Sequence, residues 1–572
     1  MPDDAGLAPI YRDDPRLQPL IGRGAPFEVE EVEVDGIVVR DFVRGFHTIV
    51  DAFQAGRAHA DKVHAVYGDE RVTFGEVRDH ALRVARELAV TFGVRRGDRV
   101  AIALRNLPEY VVAFWSAAAL GAIVVPLNSW WTGPELSYAL TDAGATVVFA
   151  DETRVDRILG EEDRTADVRI VGVRVERDAD ERFVKLDDLV HGDALDDSEL
   201  ALLGSDDPVT LLYTSGTTGR PKGAIGTNRS TMANLMNMGF ATAREALISR
   251  RPPAAAALPG TIVAAPLFHV GGIAGIVGAQ MSGMKLVMLH KWDVREAVAL
   301  AQRESVTGLG GVPSMARNIV DYPGLGDLGL RIRTFPMGGA AVAPDLPKRV
   351  IEIFGPSVQL LNGYGSTETT SAVVTNVGVE YEAHPDSVGR PNLTADLRVE
   401  DSDGRPLGPG EVGELCFRSP QVVKGYWNDE QATKAAFVDG WFHTGDVGYV
   451  DETGFVYVVD RIKDVVIRGG ENVYCAEVEA VLFEHPAVAD VAVVGLADPV
   501  LGERVCAVVV PRHGAVVDLD DLRAFAATRL AAFKCPEALH IMSELPKTAT
   551  EKVAKHELRR ALAGTPSKIE VT

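Results

Sequence analysis

The 572-residue sequence has little cysteine, no excess of basic charge and no apolar N-terminal leader. Its four cysteines, at positions 416, 475, 506 and 535, form no Cys-x-x-Cys pair, so the sequence indicates neither a disulfide framework nor a zinc site. The formal net charge of −23 argues against a general nucleic-acid or anionic-membrane binder. We therefore expect a cytoplasmic protein without a nucleic-acid partner, and a homodimer stays open as its assembly state.

Long hydrophobic runs are also scarce. One uncharged run, Tyr110 to Leu127, is long enough to be weighed as a membrane span. Its composition favours a buried helix that ends at Gly121, followed by a buried strand that ends at Pro126. We therefore expect no transmembrane segment.

The most informative segment is the loop from Tyr213 to Gly223, which follows an apolar, β-favouring run. Glycines there let backbone N–H groups turn toward an anion, and hydroxyls and a lysine add further donors. A Walker A loop needs Gly-Lys-Ser/Thr, whereas here Arg220 and Pro221 precede the lysine. A plain Ser/Thr/Gly surface loop is the alternative to a phosphate-binding loop. The candidate phosphate-binding residues are Thr214, Ser215, Gly216, Thr217, Thr218, Gly219 and Lys222.

Helical and strand patterns alternate from His80 onward, which predicts a layered α/β body with mostly parallel strands. Glycine-rich turns follow strand-like stretches at Gly271-Gly272, Gly338-Gly339 and Gly363 to Gly365. In open α/β sheets such turns gather where ligands bind. The formal Gly-x-Gly-x-x-Gly match from Gly324 to Gly329 follows no strand, so we interpret it as a surface turn.

The two ends of the chain have patterns of their own. Glu and Val alternate from Phe27 to Val39 around Asp35-Gly36, which predicts a β-hairpin. After Asp460, a shorter alternation of strands and helices predicts a separate α+β domain.

Five motifs occur in one order along the chain. They are the loop above, Gly363 to Glu368, Trp441 to Asp446, Asp460 to Asn472 and Pro546 to Lys552. Together they resemble the adenylate-forming superfamily of acyl-CoA synthetases, luciferases and peptide-synthetase adenylation domains. The resemblance implies a large N-terminal domain of packed α/β sheets, residues 1–462 with an N-terminal extension, and a small mobile C-terminal α+β lid, residues 463–572.

The resemblance also implies the reaction and its cofactors. A carboxylic acid would attack ATP to form an acyl-adenylate, and the acyl group would then pass to coenzyme A. Positive charge must gather where two anions meet. The resemblance gives that role to Lys552 and to Mg²⁺ held by Glu368 with Thr214, and oxygen ligands suit Mg²⁺.

The nucleotide contacts implied by the resemblance come from three stretches. Tyr364 would face adenine, Asp446 would accept the ribose hydroxyl protons, and Arg461 would support the ribose. The further candidates for nucleotide contact are Gly339, Ala340, Asn362, Gly365, Ser366 and Thr367.

In the second half-reaction the small domain would rotate about a hinge near Lys463, and Gly469 with Gly470 would line the coenzyme A channel. One position departs from the family pattern, since Glu551 stands where the family has a glycine before the lysine. The presentation of Lys552 could therefore differ from that in the family.

The acyl pocket is expected around His269, which is also a candidate catalytic residue, although a core histidine is the alternative. An amino-acid activator would place an aspartate at this position, so we do not expect an amino acid. Small residues leave room for a long or bulky acid, fatty or cyclic. The other candidate substrate residues are Val270, Gly271, Gly311 and Gly338.

The sequence thus predicts an AMP-forming acyl-CoA synthetase. Three alternatives stay open: an acyl-AMP ligase that loads a separate carrier protein, a luciferase-like oxygenase, and a nucleotide sensor without catalysis. Thioester formation with free coenzyme A separates the first, release of light or CO₂ would reveal the second, and pyrophosphate release with a panel of acids decides the third.

Overall fold

The computed structural model describes residues 11, 14–178, 182–214, 220–249, 260–340, 342–343, 345–548 and 552–562, except the side chains of residues 162 and 163. The chain forms two compact units. Unit 1 comprises Met1–Leu397 and Phe417–Phe442, and unit 2 comprises Arg398–Cys416 and His443–Thr572. The hinge near Lys463 stays a prediction.

Unit 1 begins with a helix, a hairpin and a second strand pair. The elements are α1 (Gln18–Ile21), β1 (Val29–Val34), β2 (Ile37–Phe42), α2 (Ile49–Ala55), β3 (Val63–Tyr67) and β4 (Glu70–Thr73). The β1–β2 hairpin confirms the prediction from the Glu/Val alternation. Its two turn residues, Asp35 and Gly36, have φ of 50° and 83°, as a two-residue type I′ turn requires.

A seven-stranded sheet forms the first layer of unit 1, in the order β11-β10-β6-β5-β7-β8-β9. Its strands are β5 (Arg99–Ala103), β6 (Ile123–Pro126), β7 (Val147–Asp151), β8 (Arg169–Val173), β9 (Phe183–Lys185), β10 (Pro208–Thr214) and β11 (Lys222–Thr227). The accompanying helices are α3 (Phe74–Val90), α4 (Pro108–Ala119), α5 (Gly133–Ala143), α6 (Glu152–Leu159), α7 (Glu162–Thr165) and α8 (Leu186–Leu189). All pairings are parallel except the β10–β11 pair.

The uncharged run is buried as predicted. Residues 108–119 form α4, Gly121 has a φ of 68°, and β6 ends at Pro126. Tyr110, Phe114 and Trp115 are fully buried there. Among the described residues, no helix combines the length and the apolar character that crossing a membrane needs.

A second group of strands in unit 1 carries the glycine turns. The elements are α9 (Asn228–Ser249), β12 (Thr261–Val263), α10 (Val270–Ser282), β13 (Leu286–Met288), α11 (Val294–Arg303), α12 (Pro313–Val320), β14 (Thr334–Gly338), α13 (Asp345–Phe354), β15 (Gln359–Ser366), β16 (Ser371–Val377), α14 (Val379–Ala383) and β17 (Arg390–Pro391). Strands pair in the orders β12-β13-β3-β4 and β14-β15-β16-β17. Gly324 and Gly329, both with positive φ, flank a short 3-10 turn, which confirms that this glycine motif is a turn.

A third sheet follows, in the order β18-β19-β21-β20 with β22 on β21. Its elements are β18 (Asp396–Glu400), β19 (Gly413–Arg418), α15 (Glu430–Ala436), β20 (Phe437–Val438), β21 (Trp441–Val450) and β22 (Val456–Arg461). The limits of the two units fall within β18, β19 and β21.

The rest of unit 2 is the α+β alternation expected after Asp460. Its elements are β23 (Val466–Arg468), β24 (Glu471–Val473), α16 (Cys475–Phe483), β25 (Val488–Asp498), β26 (Gly502–Pro511), α17 (Leu519–Ala527), β27 (Ala538–Ile541) and α18 (Lys555–Leu562). The strand order is β24-β23-β26-β25, and β27 pairs with β26 in parallel. Helices α16 and α17 pack on this sheet around a core of valines and leucines. The mixed α/β fold class is confirmed.

Candidate active site

The base of the candidate phosphate loop is a strand pair in unit 1. β10 and β11 run antiparallel, and their last pair joins Thr214 to Lys222. The Thr214 hydroxyl lies 3.5 Å from the Lys222 carbonyl oxygen, which it faces as a donor. This arrangement confirms that the loop leaves the end of a strand. The predicted Ser215, Gly216, Thr217, Thr218 and Gly219 lie outside the described residues.

Helix α5 braces both ends of this loop. The Tyr213 hydroxyl donates to Asp142 Oδ2 over 2.6 Å, and the Tyr138 hydroxyl donates to the Pro221 carbonyl over 3.3 Å. Burial, together with the Asp142 charge, raises the pKa of Tyr213, so its proton stays in this bond at neutral pH. The Arg220 guanidinium lies over the Tyr138 ring, 5.1 Å from its centroid.

The glycine turns meet at the carboxyl ends of β14 and β15. These strands are parallel, and Gly338 pairs with Gly363. A Cβ on Gly338 would stand 2.7 Å from the Gly363 oxygen, and its φ is 153°, so no other residue fits there without strain. Gly311 forms a bridge with Met337 on the other side of β14. The structure therefore brings the predicted Gly311 and Gly338 together.

The predicted adenine-contacting residues lie on the same strand ends. Asn362 is buried opposite Met337, and Tyr364 follows two residues later on β15 with its ring 6.1 Å from that of Phe417. Gly339 has a φ of 81° and leads from β14 to Ala340. Gly365 has no room for a side chain, because a Cβ would lie 1.9 Å from the Ser371 oxygen.

A tight turn after β15 presents the carboxylate of Glu368. The Ser366 N–H donates to the Thr369 hydroxyl, and the Thr370 N–H donates to the Thr367 carbonyl. Thr370 and Ser371 have φ of 48° and 83°, a conformation that costs free energy for residues with a side chain. Strain of this kind is held only where the surrounding structure fixes it, so the position of Glu368 is closely determined.

Sequence reasoning missed Tyr426, which contacts this carboxylate. Its hydroxyl donates to Glu368 Oε1 over 2.8 Å, and its ring lies beside the Lys222 ammonium, 5.1 Å from centroid to Nζ. A tyrosine some 60 residues beyond Glu368 carries no local signal of this contact, so only the fold reveals it.

The chemistry of these residues fits Mg²⁺. Thr214 offers a hydroxyl and Glu368 a half-buried carboxylate, and Mg²⁺ prefers oxygen ligands and keeps several waters. The Tyr426 hydroxyl binds one oxygen of this carboxylate, Oε1, and Oε2 offers a second ligand atom.

Unit 2 carries the other predicted nucleotide residues. Asp446 on β21 pairs with Arg461 on β22, and the Arg461 Nε lies 3.1 Å from Asp446 Oδ1. Asp446 is only 9% exposed, whereas the Arg461 side chain is half exposed. A buried carboxylate can accept hydrogen bonds from hydroxyl groups, and the guanidinium beside it offsets part of its charge.

Glu414 on β19 holds the turn that precedes Asp446. Its Oε1 accepts the Gly445 N–H over 2.9 Å, and its Oε2 lies 3.1 Å from His443 Nδ1. The Thr444 hydroxyl donates to the Leu415 carbonyl and accepts the Asp446 N–H. The hydrogen bond to Glu414 raises the pKa of His443. Sequence reasoning also missed Glu414.

Lys552 lies in the electrostatic field of the Asp446–Arg461 pair. Burial and the Arg461 charge lower the pKa of its ammonium, while the Asp446 charge opposes that shift. Backbone hydrogen bonds fix the main chain at Lys552. The Thr548 N–H donates to the Lys552 carbonyl over 2.7 Å, and Lys547 forms an antiparallel β-bridge with Val553. The structure thus brings Lys552, Asp446 and Arg461 together in unit 2. Glu551 lies outside the described residues.

The predicted hinge and channel residues also lie in unit 2. Lys463 is in a short 3-10 turn, Ile462–Asp464, and burial with the Arg461 charge lowers its pKa. Gly469 and Gly470, with φ of 59° and 90°, form the two-residue turn between β23 and β24. The Gly469 N–H donates to the Leu501 carbonyl over 2.7 Å. Positive φ at both positions accounts for the glycines.

The candidate acyl residues begin α10 in unit 1. His269 is the N-cap residue, with its ring 6.1 Å from that of Phe268, and Val270 is the first helical residue. Gly271 is exposed, and a Cβ there would meet nothing within 4 Å; the same is true of Gly275 one turn later. One side of the helix is therefore open along this turn.

Two family models match this arrangement of two units. The model described as AMP-binding enzyme matches residues 52–427, and the model described as AMP-binding enzyme C-terminal domain matches residues 477–552. The chain belongs to the AMP-binding enzyme family. The N-terminal segment that contains the β1–β2 hairpin precedes the match to this AMP-binding enzyme model.

Curated relatives of this AMP-binding enzyme are named as ligases of coenzyme A. It is 36% identical to a feruloyl-CoA synthase of Amycolatopsis sp. over 88% of this chain and 96% of that protein. A 2-succinylbenzoate–CoA ligase of Geobacillus sp. (strain WCH70) is 33% identical, with 87% and 94% covered. A long-chain-fatty-acid–CoA ligase, FadD13 of Mycobacterium tuberculosis, is 32% identical, with 87% and 95% covered.

Solved structures agree with this AMP-binding enzyme fold. ATP-bound MatB from Rhodopseudomonas palustris matches with a TM-score of 0.78 at 30% identity, over 90% of this chain and 99% of that one. O-succinylbenzoate coenzyme A synthetase (MenE) from Bacillus subtilis, in complex with ATP and a magnesium ion, matches with a TM-score of 0.73 at 30% identity, over 89% and 98%.

Proposed function

We propose that this chain is an AMP-forming carboxylate–CoA ligase whose preferred acid is an extended aromatic acid. The observation that carries the proposal is the position of Lys552, whose ammonium lies within the electrostatic reach of Asp446 and Arg461. A cation beside a carboxylate that would bind the ribose is what adenylation requires, because two anions must approach each other. The named activities of the relatives support the same reaction class.

In the first half-reaction, a carboxylate oxygen of the acid attacks the α-phosphorus of ATP. The bond to the bridging oxygen of the β-phosphate breaks, and pyrophosphate leaves. Lys552 offsets the charge that gathers on the α-phosphate, and Asp446 orients the ribose. Mg²⁺, when bound by Glu368 and Thr214, supplies positive charge to the triphosphate.

In the second half-reaction, the thiol sulfur of coenzyme A attacks the acyl carbon. The bond to the AMP oxygen breaks, AMP leaves, and the thiol proton passes to solvent. Rotation about a hinge near Lys463 would withdraw Lys552 and bring in Gly469 and Gly470. A hinge needs only a few residues that absorb a backbone rotation.

The open side of α10 supports the choice of acid. A Cβ on Gly271 or Gly275 would meet nothing within 4 Å, and a Cβ on Gly278, at the far end of the same side, would stand 3.5 Å from Leu235 of α9. Seven residues of helix span about 10 Å, which is the scale of an aromatic ring with a short side arm. The feruloyl and succinylbenzoate ligases among the relatives favour an aromatic acid. A long-chain fatty acid is the second candidate, supported by the similarity to the M. tuberculosis ligase.

A panel of acids tests the proposal. We expect pyrophosphate release that depends on a hydroxycinnamic or arylalkanoic acid, and a thioester when coenzyme A is added. Palmitate should be a poorer substrate and an amino acid inert. Adenylate formation without a thioester would favour the acyl-AMP ligase, and no pyrophosphate with any acid would favour the sensor.

Two variants test where the acid lies. Gly275→Leu fills the open side of α10, so we expect the KM for the aromatic acid to rise at least about tenfold while the KM for ATP stays constant. Gly326→Leu is the matched control, because a Cβ at this surface position also meets nothing within 4 Å. Equal effects on short and extended acids would place the acid elsewhere.

We also propose that the enzyme works in the cytoplasm and in a reduced state. All four cysteines are buried free thiols, and burial raises the pKa of each, which disfavours disulfide chemistry. A homodimer is the assembly that we would test first, by light scattering at several concentrations.

A further inference from the structure

We infer that Tyr426 is a positioning residue that links the carboxylate of Glu368 to the lysine of the phosphate loop. This inference rests on the proposed function, since it assigns Glu368 to the metal. All three residues lie in unit 1. The Tyr426 hydroxyl donates to Glu368 Oε1 over 2.8 Å, and the Lys222 Nζ lies 5.1 Å from the centroid of the Tyr426 ring.

The backbone around Tyr426 makes this link rigid. Ala224 of β11 forms an antiparallel bridge with Tyr426. On either side, the Ile225 N–H donates to the Gly425 carbonyl over 3.0 Å, and the Trp427 N–H donates to the Gly223 carbonyl over 2.7 Å. The segment therefore acts as an extra strand on β11, the strand that Lys222 begins.

The same segment also holds the backbone of Glu368. The Val423 N–H donates to the Glu368 carbonyl oxygen over 2.8 Å. The Tyr426 side chain adds the second attachment, through the carboxylate. The turn after Glu368 is strained at Thr370 and Ser371, a conformation that persists only where its surroundings fix it. The bonds from Val423 and Tyr426 fix the backbone and the carboxylate of Glu368 beside this turn.

Packing fixes the Tyr426 ring itself. The ring lies edge-on to that of Phe437, with the centroids 5.7 Å apart. The backbone N–H of Tyr426 donates to the Thr433 hydroxyl over 2.9 Å. In the bond between Tyr426 and Glu368, the Tyr426 hydroxyl is the donor and the Glu368 carboxylate oxygen the acceptor.

A donor of this kind has a specific consequence for a magnesium ligand. Mg²⁺ demands near-octahedral geometry, and a carboxylate that can rotate does not meet this demand in every rotamer. The Tyr426 hydroxyl holds Oε1 and so restricts the rotation of the carboxylate that would hold Mg²⁺. The Tyr426 ring lies beside the Lys222 ammonium, whose charge would meet the phosphates of a bound nucleotide.

Binding of ATP at several fixed Mg²⁺ concentrations tests this inference, measured by calorimetry without acid or coenzyme A. Tyr426→Phe removes only the hydroxyl and keeps the ring. Loss of an outer partner of a metal ligand costs about 10- to 100-fold in metal affinity. We therefore expect the Mg²⁺ concentration for half-maximal ATP affinity to rise about 10- to 100-fold, with Mg²⁺-free ATP affinity changed less than about twofold.

Tyr381→Phe is the matched control. The Tyr381 hydroxyl is buried and, within the described part of the chain, has no hydrogen-bond partner. Its removal should leave the Mg²⁺ midpoint at the wild-type value.

The double variant separates positioning from general weakening. If Tyr426 acts through Glu368, adding Tyr426→Phe to Glu368→Gln should not raise the Mg²⁺ midpoint further. A wild-type midpoint in Tyr426→Phe, or two additive effects, would overturn the inference. A wild type that releases no pyrophosphate with any acid would instead refute the proposed function, so the two failures are distinguishable.

Discussion

Acidification from pH 7 to pH 5 should destabilise unit 1 by about 2 kcal/mol through one buried histidine. His64 on β3 is fully buried, with its ring 4.2 Å from the centroid of Phe74, and burial lowers its pKa to about 4. The unfolded chain has the ordinary value near 6.5 and so binds more protons in this interval. Stability therefore falls as the pH drops below 6.5, and the loss levels off below 4 at about 3 kcal/mol.

The assay is urea unfolding at both pH values, followed by tryptophan fluorescence. All six tryptophans, at positions 115, 130, 131, 292, 427 and 441, belong to unit 1, so the signal reports that unit alone. His64→Leu should lose about 2 kcal/mol less than the wild type between pH 7 and pH 5. The exposed His191, changed to leucine, should behave as the wild type does. The same loss in His64→Leu and the wild type would refute the reasoning.

Further predictions concern the two halves of the site. Glu414→Gln should raise the KM for ATP about tenfold, because the charged acceptor of the Gly445 N–H is lost, whereas the exposed control Glu411→Gln should not. Since Glu414 raises the pKa of His443, their ion pair is lost as the pH rises through the pKa of His443, so the wild-type KM should rise above that pH and the variant's should not. Gly338→Ala should destabilise unit 1 by at least about 2 kcal/mol, since its Cβ would stand 2.7 Å from a backbone oxygen; unchanged unfolding would contradict this. Lys463→Pro should keep pyrophosphate release and lose thioester formation, and normal coenzyme A turnover would refute the hinge.

The sequence predicted those parts of the fold that depend on local patterns. The buried run from Tyr110 to Leu127 gave a helix and a strand because its breakers, Gly121 and Pro126, act on their immediate neighbours. The Asp35-Gly36 hairpin was equally local. The antiparallel β10–β11 pair, with Thr214 opposite Lys222, could not be read from the strand pattern, because strand direction depends on distant pairing.

The residues of the candidate site also fall into those that a local motif identifies and those that only the fold reveals. The motif residues could be selected from sequence because their side-chain types and spacing carry chemistry. Tyr426 and Glu414 could not, because each acts on a residue of another segment through one hydrogen bond. A tyrosine or a glutamate has no local sequence signal for such a partner.

Lys552 is the residue on which the reaction depends, and its removal is the most direct test. With the best acid of the panel, Lys552→Ala should lose acid-dependent pyrophosphate release at least about 100-fold. It should still form the thioester at near wild-type rate from supplied acyl-adenylate and coenzyme A. Pyrophosphate release at the wild-type rate in this variant would contradict the account.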